Sequence, residues 1–448
     1  MRTLARDMAA GEKGKDGDTI ELAGWVHRIW IAEDVTFVML RDWSAIVQLV
    51  FNGECSLPNN PPLTPESVIS VRGIPVPNRE APGGVALDVR DITVISRAIK
   101  DLPYQVSGDA SNSTLESILN NRILSLRSPK ILSIFKIQAT ILEAFASYLN
   151  AQDFTQIKTS KIVLGATEEM SGLFELDYFE RRVKLAQSSR FYRQVMASSG
   201  LERVFEISHV YRAEKHNTSR HLDEFVSLDV EIAFIESEKD LIALEKELLI
   251  YIFSEVEQKN KDDLEVWNAR LPRPEAVSRA PVITYEEALR IVNQEAGKEK
   301  ASGGRIFDIT PEAEQLLCTW ALKERGVDLV FVNEFPRRYR PFYTYPLSVG
   351  IGAVEGNTLT MSFDCLFRGM EITSGSRRHD NYEAFLDALP QFGLKAEDVE
   401  GYLELLRYGC PPHGGFAIGL ERFTQKILGL SSVQEASLFP RDRKRVEP

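Results

Sequence analysis

Cysteine is scarce in this chain, and apolar runs long enough to act as a leader or a membrane span are missing from its sequence. The 448 residues include four cysteines and no CxxC pair, so neither a disulfide framework nor a zinc ribbon is indicated. The opening residues, MRTLARDMAAGEKGKDGDTIEL, contain no apolar run of signal-peptide length. We therefore expect a globular protein of the cytoplasm.

Positive charge is scarce as well. The formal net charge is −12, which argues against a generic nucleic-acid coat because non-specific binding relies on broad positive fields. Residues 1–103 contain more acidic than basic residues, so charge does not support RNA binding there, although a nucleic acid held locally stays open. No GxxxxGK[ST] loop occurs, so a Walker loop cannot be what binds a nucleotide. Cys410 and His413 are spaced like two metal ligands, but no second pair accompanies them.

The first part of the chain predicts a small β-barrel. Between residues 18 and 100, short β-rich runs alternate with turns, which is typical of closed barrels including the OB-fold. Such barrels stack unpaired bases on exposed aromatics. Phe37 could stack on a base and Gln48 could hydrogen-bond a base edge, although Phe37 could equally be a core residue.

The rest of the chain divides at a polar segment. Residues 104–128 predict a hinge, so we expect an OB-fold domain at 1–103 and a second domain at 129–448. Pro129, with Ser128 as N-cap, begins a helical pattern whose apolar stripe could face a core or a partner subunit. Residues 257–330 are charge-rich with weak periodicity, which we interpret as a peripheral insertion.

The stretch from Arg203 to Phe234 predicts two strands joined by a charged loop. In the second strand one set of alternate residues is apolar, whereas the other set includes Asp229 and Glu231. The loop places Lys215, His216, Arg220 and His221 just beyond Arg212. Cations above an acidic sheet suit a polyphosphate with its metal ions; the alternative is a solvated hairpin.

A glycine-rich strand near the end predicts a second phosphate contact. In PPHGGFAIGLERFTQKILGL, Gly419 lets the backbone approach a planar group closely. A helix follows that carries Glu421 and Arg422 in its first turn. Arg422 could reach a phosphate, or could simply face solvent on a capped amphipathic helix.

Three elements follow one another in the order of a known family: a long helix leading into an extended segment, the hairpin FEISHVYRAEKHNTSRHLDEF, and GGFAIGLER. They are similar in order and content to motifs 1, 2 and 3 of the class II aminoacyl-tRNA synthetases. HNTSRHLDEF, FRGMEITSG, YGCPPHGGFAIGLERFTQKILGL and LFPRDRK further resemble the archaeal-type aspartyl-tRNA synthetases, a compact form also found in some bacteria. The resemblance spans nearly the whole chain.

The resemblance implies an α+β fold in which an N-terminal OB-fold anticodon domain is joined to an antiparallel catalytic sheet of six to seven strands flanked by helices. It also implies a homodimer through the motif 1 helix. The implied partners are L-aspartate, tRNA(Asp) and, as an open question, tRNA(Asn), with ATP and Mg²⁺ as cofactors. Aspartyl-adenylate would form and then pass to the tRNA 3′-hydroxyl by positioning and charge neutralisation, without a covalent enzyme intermediate.

The resemblance also assigns the ATP contacts. Arg212 would meet the α-phosphate and the reacting carboxylate as a bidentate donor. Glu214 would hold the adenine amino group and Phe225 would stack on the ring. His221 and Arg422 would meet the terminal phosphates, with Arg212 and Arg422 as the catalytic pair.

The implied metal ligands and the amino-acid pocket come from more distant parts of the chain. Glu371, which also belongs to the ATP site, and Ser374 match the family's Mg²⁺ ligands, hard oxygens suited to a cation that keeps phosphates as its other ligands. Glu168 and Gln187 match residues around the substrate α-amino group. Arg378 matches the arginine that binds the side-chain carboxylate.

Charge in the implied pocket favours aspartate over asparagine. Arg193 and Arg378 would both project toward the substrate side chain, and Asp229, which would orient Arg193, could neutralise only one of them. The remaining buried cation would need an anion. In the barrel, Arg28 joins Phe37 and Gln48 as an implied anticodon contact.

The chain departs from the family pattern around the amino acid more than around ATP. The usual Thr-Pro at the end of motif 1 is Thr159-Ser160, and the basic run after Val-His is reduced to Arg28. Residues that differ in the pocket are Glu169, Met170, Ser189, Arg190, Arg193, Ser376 and Arg377. These changes leave open whether the amino acid or the acceptor has changed.

Three hypotheses follow. The first is an aspartate–tRNA ligase. The second is a diverged paralogue that activates another amino acid, uses a non-tRNA acceptor, or is an asparaginyl-tRNA synthetase. The third, a non-catalytic RNA-binding protein, is disfavoured because Arg212, Glu371, Ser374 and Arg422 are all present.

Overall fold

The computed structural model describes residues 2–12, 17–53, 55–58, 61–107, 113–164, 172–214, 218–299, 308–347 and 358–447. The chain forms two compact units, Met1–Ser128 and Pro129–Pro448.

The first unit contains the predicted OB-fold. A short helix precedes five strands that close in the order β1-β2-β3-β5-β4. Their bounds are α1 (Ala5–Ala9), β1 (Ile20–Ala32), β2 (Val35–Arg41), β3 (Ile46–Phe51), β4 (Val68–Pro77) and β5 (Val85–Ser96). Alternate residues such as Val38, Leu40, Val47 and Leu49 fill the barrel core. Gly24 is required where β1 crosses β2, because a Cβ there would lie 2.3 Å from the Arg41 carbonyl oxygen.

The segment predicted as a hinge is more ordered than a linker. It includes α2 (Leu115–Asn120) and α3 (Arg122–Ser125), and it groups with the first unit. Tyr104, Val106 and Arg122 are buried. The unit boundary nevertheless falls at the predicted start of the long helix, between Ser128 and Pro129.

The second unit is built on an eight-stranded sheet in the order β12-β13-β14-β15-β16-β11-β10-β6. Its strands are β6 (Thr155–Gln156), β10 (Arg203–Tyr211), β11 (Glu224–Ala233), β12 (Val282–Thr284), β13 (Leu329–Asn333), β14 (Ser362–Phe367), β15 (Met370–Arg377) and β16 (His413–Gly419). A separate three-stranded sheet contains β7 (Ile162–Val163), β8 (Glu175–Tyr178) and β9 (Arg181–Leu185). The main sheet is larger than predicted, and both of its edge pairs, β6 with β10 and β12 with β13, are parallel.

Helices pack on one face of this sheet. The helices of the unit are α4 (Pro129–Ala151), α5 (Arg190–Met196), α6 (Glu238–Lys259), α7 (Lys261–Val266), α8 (Pro274–Ser278), α9 (Tyr285–Glu299), α10 (Pro311–Arg325), α11 (Tyr382–Ala388), α12 (Glu400–Arg407) and α13 (Leu420–Leu428). Apolar residues of α4, α6 and α13 form one core with Leu228 and Val230 of β11. The predicted apolar side of β11 therefore faces helices, and its acidic side faces the opposite way.

The region predicted as a peripheral insertion, 257–330, is integral to the domain instead. β12 forms an edge of the main sheet, and α9 and α10 pack on Val330 and Val332 of β13. Leu329 and Phe331 of the same strand point into the other core. Because strand residues alternate between faces, α10 stands on the face that α4 and α6 leave uncovered.

Helix α4 is long and apolar enough to cross a membrane by length and composition, although Lys136 and Glu143 interrupt its apolar sequence. Half of its most apolar window is buried inside the protein, and Ile137, Ile141 and Phe145 are fully enclosed in the core. A core helix of a globular protein passes the same test, so this finding is weak support for a span.

Candidate active site

A cavity of about 720 Å³, open to solvent, lies on the uncovered face of the main sheet. It brings together all six predicted ATP contacts with Ser374. Its lining residues are Arg190, Arg212, Glu214, Arg220, His221, Leu222, Phe225, Ser227, Glu371, Ile372, Ser374, Ala417, Gly419, Glu421, Arg422 and Val433. The mixed polar and apolar lining suits a nucleotide.

The hairpin of β10 and β11 presents a flat aromatic and a cation to this cavity. Phe225 is half-buried, and the Arg212 guanidinium carbon lies 5.5 Å from its ring centroid. The Arg212 N–H donates to the Asp223 carbonyl oxygen at 2.8 Å, and the Glu214 N–H donates to Asp223 Oδ1 at 3.2 Å. These contacts hold the start of the loop against β11, so that a ring, an arginine and a carboxylate share one opening.

His221 lies in the same loop as a neutral side chain. Burial, followed by the nearby Arg422 guanidinium, lowers its pKa from the ordinary value of 6.5. Its Nδ1 is 2.6 Å from the Thr218 hydroxyl. A neutral imidazole can meet a phosphate as an N–H donor, without adding a positive charge. The other predicted loop cations, Lys215 and His216, fall outside the described residues.

Four residues link the loop, β15 and two helices at the other side of the cavity. Arg422 donates to the carbonyl oxygens of Arg220 at 3.2 Å and Glu371 at 3.3 Å. Glu314 of α10 accepts from the Arg220 guanidinium and, at 3.3 Å, from the Glu371 N–H. Arg220 and Glu371 are thus each held twice, once by a cation and once by a carboxylate.

The charge around Glu371 fits the divalent cation that the family resemblance implies. Burial first, and then the Asp364 carboxylate, raise the pKa of Glu371 to about 7. A cation with oxygen ligands would offset that repulsion. Among the described residues no group of three or more His, Cys, Asp or Glu could hold a metal by itself, which is consistent with a cation completed by ligand phosphates. The Ser374 hydroxyl accepts from Arg340 at 3.1 Å.

The predicted charge balance of the amino-acid pocket was wrong. Arg193 is fully buried and lies 3.3 Å from Asp229, as expected, but Arg378 is also paired, donating through Nε to Glu231 at 2.9 Å. Neither arginine lines the cavity. Two arginines therefore face two carboxylates, and no surplus cation remains among these four to demand an anionic substrate.

The pKa shifts of the two carboxylates follow from this burial. Burial by itself would raise the pKa of Glu231, but Arg378 and Arg193 outweigh it and lower the value. Burial raises the pKa of Asp229 against the opposing effect of Arg193. Asp229 is nevertheless ionised, because a fully buried arginine without a counter-charge would destabilise the fold by about 3–5 kcal/mol.

The remaining predicted pocket residues are only partly brought together. Gln187 is buried and does not line the cavity. Glu168, Glu169 and Met170 fall outside the described residues, so their predicted contacts with substrate stay predictions. Cys410 and His413 approach to 3.5 Å, but they have no third ligand among the described residues.

The barrel carries its own candidate surface. Phe37 is half-buried rather than in the core, and its ring stacks on Trp30 with centroids 5.3 Å apart and an interplanar angle of 14°. The Arg28 guanidinium lies 5.9 Å from the Trp30 ring. Gln48 is buried, and its amide oxygen accepts from Asn78 at 3.0 Å. The amide NH₂ group is therefore the part of the side chain that could meet a base edge.

Sequence reasoning missed several residues of these sites. Glu314 lay in a segment without readable periodicity, and Arg190 was noted only as a departure from a family pattern. Trp30 lies two residues after Arg28 on β1, and this spacing of two, which puts both side chains on one side of the strand, could have revealed it. Asp364 lies in the apolar run SFDCLF, seven residues before Glu371. A carboxylate in an apolar strand is rarely buried without a partner, so it indicates a functional or paired group.

Comparison with known proteins gives two matching families. Residues 114–443 match "tRNA synthetases class II (D, K and N)", and residues 20–95 match "OB-fold nucleic acid binding domain".

Relatives match over the full length of the chain. A protein of Thermus thermophilus named aspartate–tRNA(Asp/Asn) ligase is 42% identical over 100% of both chains. One of Pyrococcus abyssi named aspartate–tRNA(Asp) ligase is 36% identical over 97% of each. The crystal structure of asparaginyl-tRNA synthetase from Pyrococcus horikoshii with asparaginyl-adenylate is similar with a TM-score of 0.88 and 29% identity, covering 100% of both chains. The chain thus belongs to the class II tRNA synthetase family for D, K and N, and is an enzyme of the aminoacyl-tRNA ligase class.

Proposed function

We propose that this enzyme is an aspartate–tRNA ligase that uses ATP to activate L-aspartate and transfers it to tRNA(Asp). The single observation that carries the proposal is the cavity in which Arg212, Glu214, Phe225, Glu371 and Arg422 converge on one sheet face. The full-length relatives named aspartate–tRNA(Asp/Asn) ligase, at 42% and 40% identity, support the choice of aspartate. They also support tRNA(Asn) as a second acceptor.

In the first step the aspartate α-carboxylate attacks the α-phosphorus of ATP and pyrophosphate leaves. Arg212 would pair with the charge that develops on the α-phosphate, and its position in the same cavity as Phe225, on which adenine would stack, supports this role. Arg422, held by two backbone carbonyl oxygens, would neutralise the leaving pyrophosphate. The side chains supply positioning and charge, and none needs to act as a nucleophile.

In the second step the 3′-hydroxyl of tRNA attacks the activated carbonyl and AMP leaves. The OB-fold would hold the anticodon through the Trp30–Phe37 pair, because bases stack on exposed aromatic rings. Mg²⁺, bound through Glu371, would supply further charge neutralisation at the phosphates.

The family resemblance also supports a homodimer in the cytoplasm. The helix α4 that corresponds to motif 1 has one face in the core and exposes Leu132 and Ala139 on the other. Ser160 in place of the usual proline removes one rigid position from the extended segment that follows α4. Sedimentation of the full chain at about twice 50.5 kDa would agree with the dimer.

Asparagine is the competing amino acid, because the buried pairs Arg193–Asp229 and Arg378–Glu231 are neutral overall. Amino-acid-dependent ATP–pyrophosphate exchange, measured with a panel of amino acids, separates the two. We expect exchange with aspartate and little with asparagine. Charging of purified tRNA(Asp) and tRNA(Asn) with labelled aspartate then defines the acceptors. Greater exchange with asparagine, or with a third amino acid, would refute the proposal.

A further inference from the structure

We propose that Arg340 keeps the nucleotide-free enzyme from binding a divalent cation, so that the cation enters the cavity together with the phosphates of ATP. This inference rests on the proposed function, in which Mg²⁺ is bound through Glu371. It gives Arg340 a role in the order of binding, which is separate from any contact with the amino acid.

Arg340 holds oxygen-bearing side chains on two neighbouring strands. Asp364 of β14 and Ser374 of β15 lie directly opposite each other in the ladder between these strands. The Nη1 group of Arg340 donates to Asp364 Oδ1 at 2.9 Å and to the Ser374 hydroxyl oxygen at 3.1 Å. Its Nη2 group lies 2.7 Å from Asp364 Oδ2. One guanidinium thus contacts three oxygen atoms of the kind that Mg²⁺ takes as ligands.

An aromatic ring and a backbone contact hold Arg340 in this position. Its guanidinium carbon lies 3.7 Å from the centroid of the Phe335 ring, and Phe335 is buried among residues of α9 and α10. The Arg340 N–H donates to the Arg337 carbonyl oxygen at 3.0 Å. The side chains of Arg340 and Asp364 are only 10% and 12% exposed, so water and salt screen their charges weakly.

The charge of Arg340 acts on the cavity from behind its lining. Glu371 and Ser374 line the cavity, whereas Arg340 and Asp364 do not. Burial and the Asp364 carboxylate raise the pKa of Glu371, whereas the guanidinium groups of Arg422 and Arg340 oppose that rise. Two carboxylates are therefore balanced by two arginines before a cation arrives.

This balance makes a divalent cation unfavourable in the absence of nucleotide. A cation that approaches Glu371 and Ser374 is repelled by Arg340, and Asp364 is already paired. Among the residues that the structure describes, no group of three or more His, Cys, Asp or Glu could hold a metal. The phosphates of ATP bring both negative charge and further oxygen ligands, so they reverse the balance.

Binding of Mn²⁺ to the nucleotide-free chain, measured by the loss of the electron paramagnetic resonance signal of the free ion, tests this role. We expect Arg340→Gln to bind Mn²⁺ about tenfold more tightly than the wild type or better, because a repelling charge is removed and Asp364 is released. Arg340→Met, which keeps an apolar stem on Phe335, should show the same gain. Arg340→Lys keeps the charge and should stay within about threefold of the wild type.

Two control variants locate the effect. Arg338→Gln removes an exposed arginine two residues away and should bind Mn²⁺ like the wild type. Glu371→Gln, combined with Arg340→Gln, should abolish the gain if the cation binds in the cavity. In a second measurement, Mg²⁺ should raise the melting temperature of Arg340→Gln more than that of the wild type, because an ion that binds only the folded state stabilises it.

The outcomes separate this inference from the function on which it rests. Unchanged or weaker Mn²⁺ binding in Arg340→Gln and Arg340→Met would overturn it. An equal gain in Arg340→Lys, or a gain that survives Glu371→Gln, would also overturn it. Absence of aspartate-dependent exchange in the wild type would instead refute the proposed function, because Mn²⁺ binding is measured without catalysis. The melting curves show whether each variant is folded.

Discussion

At the scale of single residues, the cavity combines groups whose charge is fixed by their neighbours. We expect substitution of Arg212 to slow the first chemical step more than substitution of any other residue of the cavity. Because it would pair with charge that grows in the transition state, we expect Arg212→Ala to lower the rate of ATP–pyrophosphate exchange by about 10²–10³-fold. Arg203→Ala, at the exposed start of β10, which ends one residue before Arg212, should be near wild type. Circular dichroism should be unchanged in both variants; near-normal exchange in Arg212→Ala would remove the central assignment.

A second residue, Glu245 of α6, makes stability depend on pH away from the site. It is fully buried beside Thr373 and Cys365, and burial raises its pKa to about 8 from the ordinary 4.5. The folded state therefore keeps a proton that the unfolded state loses. The contribution of this protonation to the free energy of unfolding is complete below about pH 4.5. It decreases as the pH rises toward 8 and is lost above that pH.

We expect the stability of the wild-type chain, relative to Glu245→Gln, to fall between pH 6 and 8 by at most about 1.4 kcal/mol per pH unit. Urea unfolding of both proteins at several pH values measures the difference. Glu255→Gln, on the more exposed part of the same helix, is the control and should show no such slope. A difference between wild type and Glu245→Gln that does not vary with pH would show that Glu245 is ionised in the folded state.

At the scale of elements, α10 connects the region 257–330 to the cavity. Thr310 caps its first turn by accepting from the Ala313 N–H, and Gly326 ends it in the left-handed conformation. Both ends are thus fixed, and the helix presents Glu314 to Arg220 and Glu371.

Replacing Glu314 by glutamine should loosen that connection without touching the amino-acid pocket. We expect the KM for ATP to rise by about tenfold or more, the loss of a charge-assisted hydrogen bond, with the KM for aspartate unchanged. Glu324→Gln, exposed near the other end of α10, should match the wild type. Equal changes in both KM values would indicate a general distortion instead of a nucleotide contact.

The aromatic pair Trp30–Phe37 on β1 and β2 leads to a prediction about tRNA binding. Phe37→Ala removes half of the Trp30–Phe37 stack, and stacking contributes roughly 1–3 kcal/mol per base. We expect the KM for tRNA in charging to rise, while tRNA-independent exchange is unchanged. Ile95→Ala, which removes another exposed apolar side chain of the barrel, should leave both activities unchanged. A parallel loss of exchange and charging in Phe37→Ala would show that the ring only stabilises the fold.

At the scale of the whole molecule, each of the two units encloses a core of its own. We therefore expect a chain of residues 129–448 to fold and to retain aspartate-dependent exchange, while tRNA charging falls by at least about tenfold because the stacking surface is gone. Circular dichroism and the two activity assays test this. Charging at the wild-type level would show that the barrel is not the anticodon domain.

Much of this organisation was predictable from the sequence because it depends on local patterns. Alternation along β11 decided which side would face helices, since a strand turns successive side chains to opposite faces. The hairpin and the glycine-rich strand indicated Arg212 and Arg422 as cations suited to phosphates, whereas Phe225 was assigned by the family resemblance. Phe37 was predicted as either a base-stacking residue or a core residue. The alternation of side chains along a strand does not show which face of the strand is buried.

What the sequence alone determined is therefore the chemical character of each face, and what the tertiary structure decided is which charges meet. Glu231 and Arg378 are 147 residues apart, and they meet because β16 lies between their strands with Gly415 beneath the carboxylate. A Cβ at Gly415 would lie 2.4 Å from Glu231 Oε2. Pairing across strands depends on register and strand order, which are set by packing of the whole sheet. For that reason the sequence predicted a surplus cation in Arg378, whereas the fold pairs that residue with Glu231.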